Sequence, residues 1–260
     1  IEELTSITKR IKKTITEEKI SITLFKEFST GSIEKTASFK NHKYNDFMVD
    51  VNMVLQIHNN WKSLDTYLSS MKTKYRTRAK SIYKKSNPLI IKSLEFNEIA
   101  FYEKELSILL ENVSKKAEYS YGVIDVKAFS LFKQNLGDNF SLKALFLDNK
   151  IVGFSTSFYN NNQLDANYVG IDYEYNTDYA IYQRLLCDYV EQAISKSAKS
   201  LHFGRTSELV KSSLGAEPVN MTLYAKHKNS LSNFLLKPVF NYITPSNFEL
   251  RKPFKADFKY

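Results

Sequence analysis

Apolar and polar positions along this chain are spaced so that nearly every segment takes an element. Leu4, Ile7, Ile11 and Ile15 fall three and four apart in a charged stretch, which predicts a helix over 2–18. Residues 20–25 alternate and are β-rich, the pattern of a strand. A polar stretch punctuated by Ser29-Thr-Gly-Ser32 follows, with a short helix expected up to Phe39. Residues 47–55 read as a second strand. Trp61, Leu64, Leu68, Met71, Tyr75, Ala79 and Ile82 then draw one stripe, which predicts a single helix over 61–86. Asn60 or Ser63 caps its start, and Asn87-Pro88 ends it.

Beyond that helix the pattern changes period several times. Residues 89–94 read as a strand, 97–117 as a helix, and 125–136 as a helix closed by Gly137. Strands are expected at 140–147, 151–159 and 164–171, joined by the turns Asp148-Asn-Lys150 and Asn160-Asn-Asn162, which makes an antiparallel meander. An amphipathic helix covers 177–197, with Ile181, Leu185, Tyr189, Ala193 and Ile194 inward. A strand at 200–203, a short helix at 206–213 ending near Gly215, a strand at 219–225 and a helix at 229–237 complete the chain. From Leu89 the order is β, α, α, β, β, β, α, β, α, β.

Composition narrows the class. Hydrophobic residues are 43% of the 260, enough for a sizeable core. Only 7 glycines are present, which limits glycine-built loops. The net charge of +9 suits a phosphate-rich or acidic partner: tRNA, a phospholipid face, a nucleotide-linked donor or an acidic carrier protein. A lysine-rich composition gives the same charge without any partner. Charge concentrates on the 61–86 helix, where Lys72, Arg76, Lys80 and Lys84 recur every four residues. From Lys62 to Lys85 the only acid is Asp65. Cys187, the single cysteine, rules out a disulfide within the chain and sits on a buried helix face. His42, His58, His202 and His227 lack metal-ligand spacing, so no metal is expected. No apolar run reaches the ~18 residues that span a bilayer. A cytoplasmic location is expected, with the inner face of the membrane as the variant, although an opening Ile1 constrains this weakly.

A set of short motifs carries a family resemblance. They are Trp61, Tyr67-Leu68, Lys74-Tyr75-Arg76 with Arg78, Asp148-Asn-Lys-Ile-Val-Gly153, Tyr168-x-Gly170-x-Asp172, Tyr182, Phe203-Gly-Arg-Thr206, Lys211 and Leu214-Gly-Ala216. In this order they resemble the FemAB/FemX-like branch of the GNAT superfamily, which includes bacterial proteins of peptidoglycan biosynthesis and BioF2-like acetyltransferases. The resemblance covers about 45–226. It implies an α+β (α/β) fold: a mixed central sheet flanked by helices, in tandem GNAT-like units. Residues 1–58 would be the second half of a first, incomplete unit, so the chain is expected to lack an N-terminal portion. Residues 59–87 would be a basic connecting helix, and 88–260 a complete GNAT-like domain with an aromatic, basic tail.

The resemblance also implies where chemistry sits. The fourth and fifth strands of a GNAT fold splay, the acyl donor enters the notch, and an amine attacks its carbonyl from the other side. Transfer needs a neutral amine, a held oxyanion and a protonated leaving group. Asp172 is the candidate to accept the amine proton or orient the acceptor, with a turn or helix-start role as the alternative. Tyr168 and Tyr182 are candidate acids, with aromatic packing as the alternative. Gly170 allows close backbone approach. Gly204, Arg205 and Thr206, at a helix start, together with Lys211, form a candidate seat for a phosphate or carboxylate; Arg205 pairing with Glu208 is the alternative. His202 reads as packing.

One absence shapes the functional reading. GNAT enzymes that use acetyl-CoA carry a glycine-rich loop before the third helix. Here Asp172-Tyr-Glu-Tyr-Asn-Thr-Asp178 has three acids and no glycine, which disfavours a diphosphate there. The expected function is therefore transfer of an acyl or aminoacyl group to an amine acceptor, a cell-wall or lipid precursor or another amine metabolite. No tightly bound cofactor is expected. The donor is a co-substrate: aminoacyl-tRNA, acyl carrier protein or acyl-CoA, docked by Lys72, Arg76, Lys80 and Lys84, unless these form only a solvated face. An acyl-CoA- or carrier-dependent N-acyltransferase of lipids touching the membrane, and a non-catalytic binding module, are the alternatives.

Overall fold

The computed structural model describes residues 10–11, 13–15, 17–29, 36, 39–116, 124–242, 248–256 and 258, without the side chains of 49, 50, 237 and 239–242. In chain order the elements are β1 (Ile22–Ser29), β2 (Asn45–Gln56), α1 (Leu64–Ser70), α2 (Thr73–Lys85), β3 (Ile90–Ser93), α3 (Phe96–Phe101), α4 (Glu103–Lys116), α5 (Lys127–Leu136), β4 (Phe140–Leu147), β5 (Lys150–Asn160), β6 (Gln163–Ile171), α6 (Tyr173–Tyr179), α7 (Ile181–Ser195), β7 (Ser200–His202), α8 (Glu208–Ser213), β8 (Glu217–His227) and α9 (Ser230–Tyr242). The described positions between 10 and 17, and residues 36 and 39–41, are helical. The remainder of the two helices expected near the N-terminus lies outside the described residues.

The chain forms two compact units, Ile1–Asn52 with Pro218–Phe248, and Met53–Glu217 with Glu249–Tyr260, a different division from the expected one at 58 and 87. In the first unit β1 pairs antiparallel with β8, from Ile22 opposite His227 to Ser29 opposite Met221. Phe25, Phe28, Phe39, Tyr44 and Tyr224 pack there, with ring centroids such as Phe25–Phe39 at 4.7 Å. The Thr36 and Tyr224 hydroxyls share a buried 2.7 Å hydrogen bond.

In the second unit the strand order is β2-β7-β6-β5-β4-β3. The expected meander β4-β5-β6 is antiparallel, and its tight turns put Asp148, Asn149, Asn161 and Asn162 at positive φ, where Asn and Asp cost least. One apolar cluster, including Leu106, Leu109, Phe129, Phe140 and Phe154, packs under α4 and α5; another, including Val152, Ile171, Ile181 and Leu185, packs under α7. Burying each such side chain is worth about 1.5–3 kcal/mol. Two strand glycines let the helices settle. A Cβ on Gly170 would overlap the Phe154 ring and Leu109, and one on Gly153 would meet Ile181 at 2.6 Å.

Three helices differ from the sequence pattern. The single helix expected over 61–86 is two, because Met71 is extended (φ −81°, ψ 149°) and bridges Phe254. Lys72 N–H donates to Pro253 O and Lys255 N–H to Ser70 O, so the tail makes bonds that a continuous helix would make within itself. The helix expected over 97–117 breaks at Tyr102 into α3 and α4. The loop expected at 172–178 holds the helix α6, and the helix expected over 177–197 starts as α7 only at Ile181, with Ala180 in the left-handed region (φ 51°, ψ 42°) between them. Among the described residues no helix is long and apolar enough to cross a membrane.

Candidate active site

β6 and β7 run parallel only from Gln163 with Ser200 to Asp165 with His202. They then part. On the β7 side the next bonds go to β2: Phe203 N–H donates to Met53 O at 2.8 Å, and Gly204 O accepts from Met53 N–H at 3.1 Å. On the β6 side a bulge falls at the same level. Ser155 pairs with Val169 and Ser157 with Ala166, so Asn167 and Tyr168 together oppose Thr156. Tyr168 N–H donates to Thr156 Oγ1 at 2.9 Å, and the buried Tyr189 hydroxyl donates to Thr156 O at 2.9 Å. The pattern Leu164, Ala166, Tyr168, Gly170 alternates as though unbroken, so the sequence carries no sign of the bulge. Tyr189 was legible only as a packing residue.

The structure sorts the predicted residues by place. Tyr168 sits on the bulge, its ring 5.6 Å from Phe129, and lines a cleft of about 210 Å³ with Leu110, Val113, Ile124 and Val169. Tyr182 lies in the first turn of α7, half-buried, its phenol hydrogen-bonded to Ser207. That contact joins α7 to the turn after β7. Burial, ahead of the Ser207 bond that opposes it, raises the phenol above its ordinary value, so it stays protonated at neutral pH. Gly170 is a packing glycine, with Phe154 and Leu109 filling the space a side chain would need. Asp172 is the N-cap of α6: Oδ1 accepts from Glu174 N–H at 3.2 Å and Oδ2 from Lys150 Nζ at 2.8 Å. Both carboxylate oxygens thus have partners, which matches the helix-start alternative.

The turn after β7 also departs from expectation. Gly204, Thr206 and Ser207 have φ of 75°, 64° and 54°, and α8 begins only at Glu208. The anion seat expected at a helix start thus faces a six-residue helix with an acid in its first turn. Lys211 is buried, and its ammonium turns inward, donating to Gly204 O at 3.2 Å and Arg205 O at 2.6 Å. It clamps the turn instead of reaching for a ligand. Burial, opposed in part by Glu208, pulls it down to about 8. Arg205 is half-buried and Thr206 exposed at the mouth of the notch. His202 lies 3.8 Å from Asp165 on the paired part of the strands, and burial holds its imidazole below the ordinary value. Cys187 is buried and its thiol is pushed up to about 12 by that burial, as suits a packing residue. Among the described residues no His, Cys, Asp and Glu cluster can hold a metal ion.

Of the four docking cations, Lys72 caps α2 and donates to Lys252 O at 2.9 Å, Arg76 is half-buried, and Lys80 and Lys84 are exposed on α2. They stand on a different element from the notch.

An antiparallel meander followed by a parallel strand pair that splays at a bulge, with helices on the sheet, defines a GNAT fold, and the chain has it. The solved structures it resembles include FemX (TM-score 0.59, 10% identity, 91% of this chain and 79% of that one). The C-terminal domain of an Agrobacterium fabrum protein assigned as a lysylphosphatidylglycerol synthetase gives a TM-score of 0.54 at 11% identity, over 83% of this chain and 71% of the other. L-PGS from Bacillus licheniformis gives 0.52 at 11%, over 84% and 73%. The FemX-like resemblance read from the motifs agrees with these neighbours. No family model and no curated protein sequence matches.

Proposed function

We propose that this protein transfers an acyl or aminoacyl group to an amine. The observation that carries the reading is the coincidence of the splay between β6 and β7 with the bulge at Asn167–Tyr168. A splayed pair offers a slot for an extended acyl donor, and a bulge re-aims backbone groups beside it. The amine nitrogen attacks the donor carbonyl carbon, the C–N bond forms, and the C–O or C–S bond breaks. Tyr182 supplies the proton to the leaving oxygen or sulfur, since burial keeps its phenol charged with a proton. The proton lost by the amine leaves to solvent. Asp172 acts here through the cap it places on α6, and Lys211 through the turn that carries Arg205 and Thr206.

The acceptor enters by the cleft at Tyr168. Its apolar lining of Leu110, Val113, Ile124 and Val169 favours an amine on an apolar body, as in a cell-wall or lipid precursor. Two neighbours bear names of that kind, FemX and a lysylphosphatidylglycerol synthetase. In place of a glycine-rich loop stands α6, with Glu174 and Asp178 exposed, which disfavours a diphosphate there and favours a donor whose bulk docks elsewhere, an aminoacyl-tRNA or acyl carrier protein. Arg76, Lys80 and Lys84 suit docking of either donor. The test presents each donor class with amine acceptors and follows new amide by mass spectrometry, for the wild type, Tyr182→Phe and Arg205→Ala. Loss of product of tenfold or more in both variants is expected, about 1.4 kcal/mol of barrier. Unchanged rates in both, or no amide with any donor, would sink the reading.

A further inference from the structure

In the first unit α9 turns its apolar side outward. Asn229 caps its start, its Oδ1 accepting from Leu231 N–H at 2.9 Å and from Ser232 N–H at 3.1 Å. One turn on, Asn233 fixes the helix about its own axis. Its Nδ2 donates to Lys43 O at 2.9 Å, its Oδ1 accepts from His227 N–H at 2.8 Å, and its main-chain oxygen accepts from Asn45 Nδ2 at 3.0 Å. Positions 231, 234, 235 and 238 fall on the opposite side, roughly 100–200° around the helix from Asn233. Leu231, Phe234 and Leu235 are 70%, 74% and 56% exposed, and Pro238 is exposed beside them. Among the described residues no other helix carries three exposed large apolar side chains. A contiguous stripe of this kind is a contact surface.

The charges around the stripe identify what covers it. Pro218–Phe248 contains three lysines and no Asp or Glu. Lys228 directly precedes the cap, and Lys43 stands at the base of Asn233; both are exposed. The flanking segments 13–22 and 39–46 add Glu17, Glu18 and Asp46, of which Lys13 holds Glu17 and Lys40 holds Asp46. An apolar stripe edged by cations fits the surface of an anionic phospholipid bilayer, where the stripe meets acyl chains below the headgroups and the lysines meet phosphates. Length and area separate this occupant from others. The 13 residues of α9 span about 20 Å, short of the ~30 Å hydrocarbon core, so the helix lies along the interface. The stripe offers on the order of 300 Å², against the ~800 Å² per partner of a stable protein interface. A nucleic acid would engage the lysines and leave the stripe bare.

We infer that α9 docks this protein on an anionic phospholipid bilayer, with Leu231, Phe234 and Leu235 inserted and Lys43 and Lys228 on the headgroup phosphates. The surface belongs to the first unit and stands apart from the transfer reaction.

The test uses the full chain and vesicles of phosphatidylcholine, alone or mixed equally with phosphatidylglycerol, with sedimentation for affinity. Binding to the mixed vesicles should be about tenfold or more tighter than to neutral ones, and should weaken as salt rises. Leu231→Ser with Phe234→Ser should weaken it about tenfold or more through lost insertion. Lys43→Gln with Lys228→Gln should cost about tenfold on mixed vesicles and less than about twofold on neutral ones. Ile108→Ser with Leu131→Ser, which removes exposed apolar side chains of the second unit, should cost less than about twofold. All six side chains are exposed, so the variants should fold, which melting curves check. Phe234→Trp reports insertion directly: its emission should move to the blue when mixed vesicles are added. No vesicle binding, an unmoved emission, equal losses in the two apolar pairs, or a loss from the lysine pair alone would overturn the inference. A dimer that Leu231→Ser with Phe234→Ser dissolves, with vesicles left unbound, would overturn it in favour of a second copy.

Discussion

The two walls of the notch are built by opposite means. The β6 wall is held by packing: Gly170 has Phe154 and Leu109 in the space of its missing side chain, and Tyr189 is buried beneath the bulge. The turn after β7 is held by backbone polar bonds, with three residues at positive φ and a buried ammonium on two carbonyls. A Cβ on Gly204 would meet nothing within 4 Å. One glycine is required for space, the other for conformation. The first wall is therefore fixed by side-chain packing and the second by hydrogen bonds to its own backbone.

Substitutions can break this contrast. Gly170→Ala should destabilise most, by about 3 kcal/mol, because the overlap is with packed atoms that cannot retreat; chemical denaturation measures it, and a loss below ~1 kcal/mol would mean that the wall is soft. Lys211→Met tests the turn through pH. The folded state holds Lys211 at about 8 against an ordinary 10.5, so between those values the unfolded chain binds more protons and stability rises with pH. The penalty, present in full below about pH 8, is relieved by roughly 3 kcal/mol as pH climbs to 10.5. Stability curves from pH 7 to 10.5 should therefore rise more steeply for the wild type than for the variant. Parallel curves would remove the buried ammonium from the account.

Smaller effects sharpen the picture. Gly204→Ala should cost about 1–2 kcal/mol of backbone strain alone, and its crystal structure should keep the turn. Tyr189→Phe should cost about 1 kcal/mol, the worth of one hydrogen bond, and loosen the amide of Tyr168 in hydrogen exchange. Asp172→Asn should cost under ~1 kcal/mol, since Asn also caps helices and the Lys150 partner is exposed. A much larger loss of transfer activity than of stability in that variant would return the carboxylate to the chemistry.

Legibility followed the range of the interactions. The meander, its turns and the strand before α8 were plain because alternation and Asn-rich turns are local signals. Helix breaks at Met71 and Ala180 were not, because the first depends on hydrogen bonds to Pro253 and Ser70's partner Lys255, far along the chain, and the second places an ordinary alanine in the left-handed region. The notch segments were found as motifs, and the direction in which their side chains turn was not legible. Lys211 read as part of an anion seat, since its sequence gives no hint of the Gly204 and Arg205 carbonyls it meets. The helix α6 was not legible either, since an acidic segment without apolar periodicity does not announce one.

The division of the chain has a consequence for its biosynthesis. Each unit is completed by a segment that follows most of its own chain: β1 takes its partner from β8, and Trp61, Tyr67 and Gly215 take Phe254 against them. A nascent chain that has emerged as far as α8 therefore holds the meander and its helices but neither closing segment. Folding during synthesis can start at the β4-β5-β6 centre, while β1 and the Trp61 cluster stay uncovered until β8 and Phe254 have emerged.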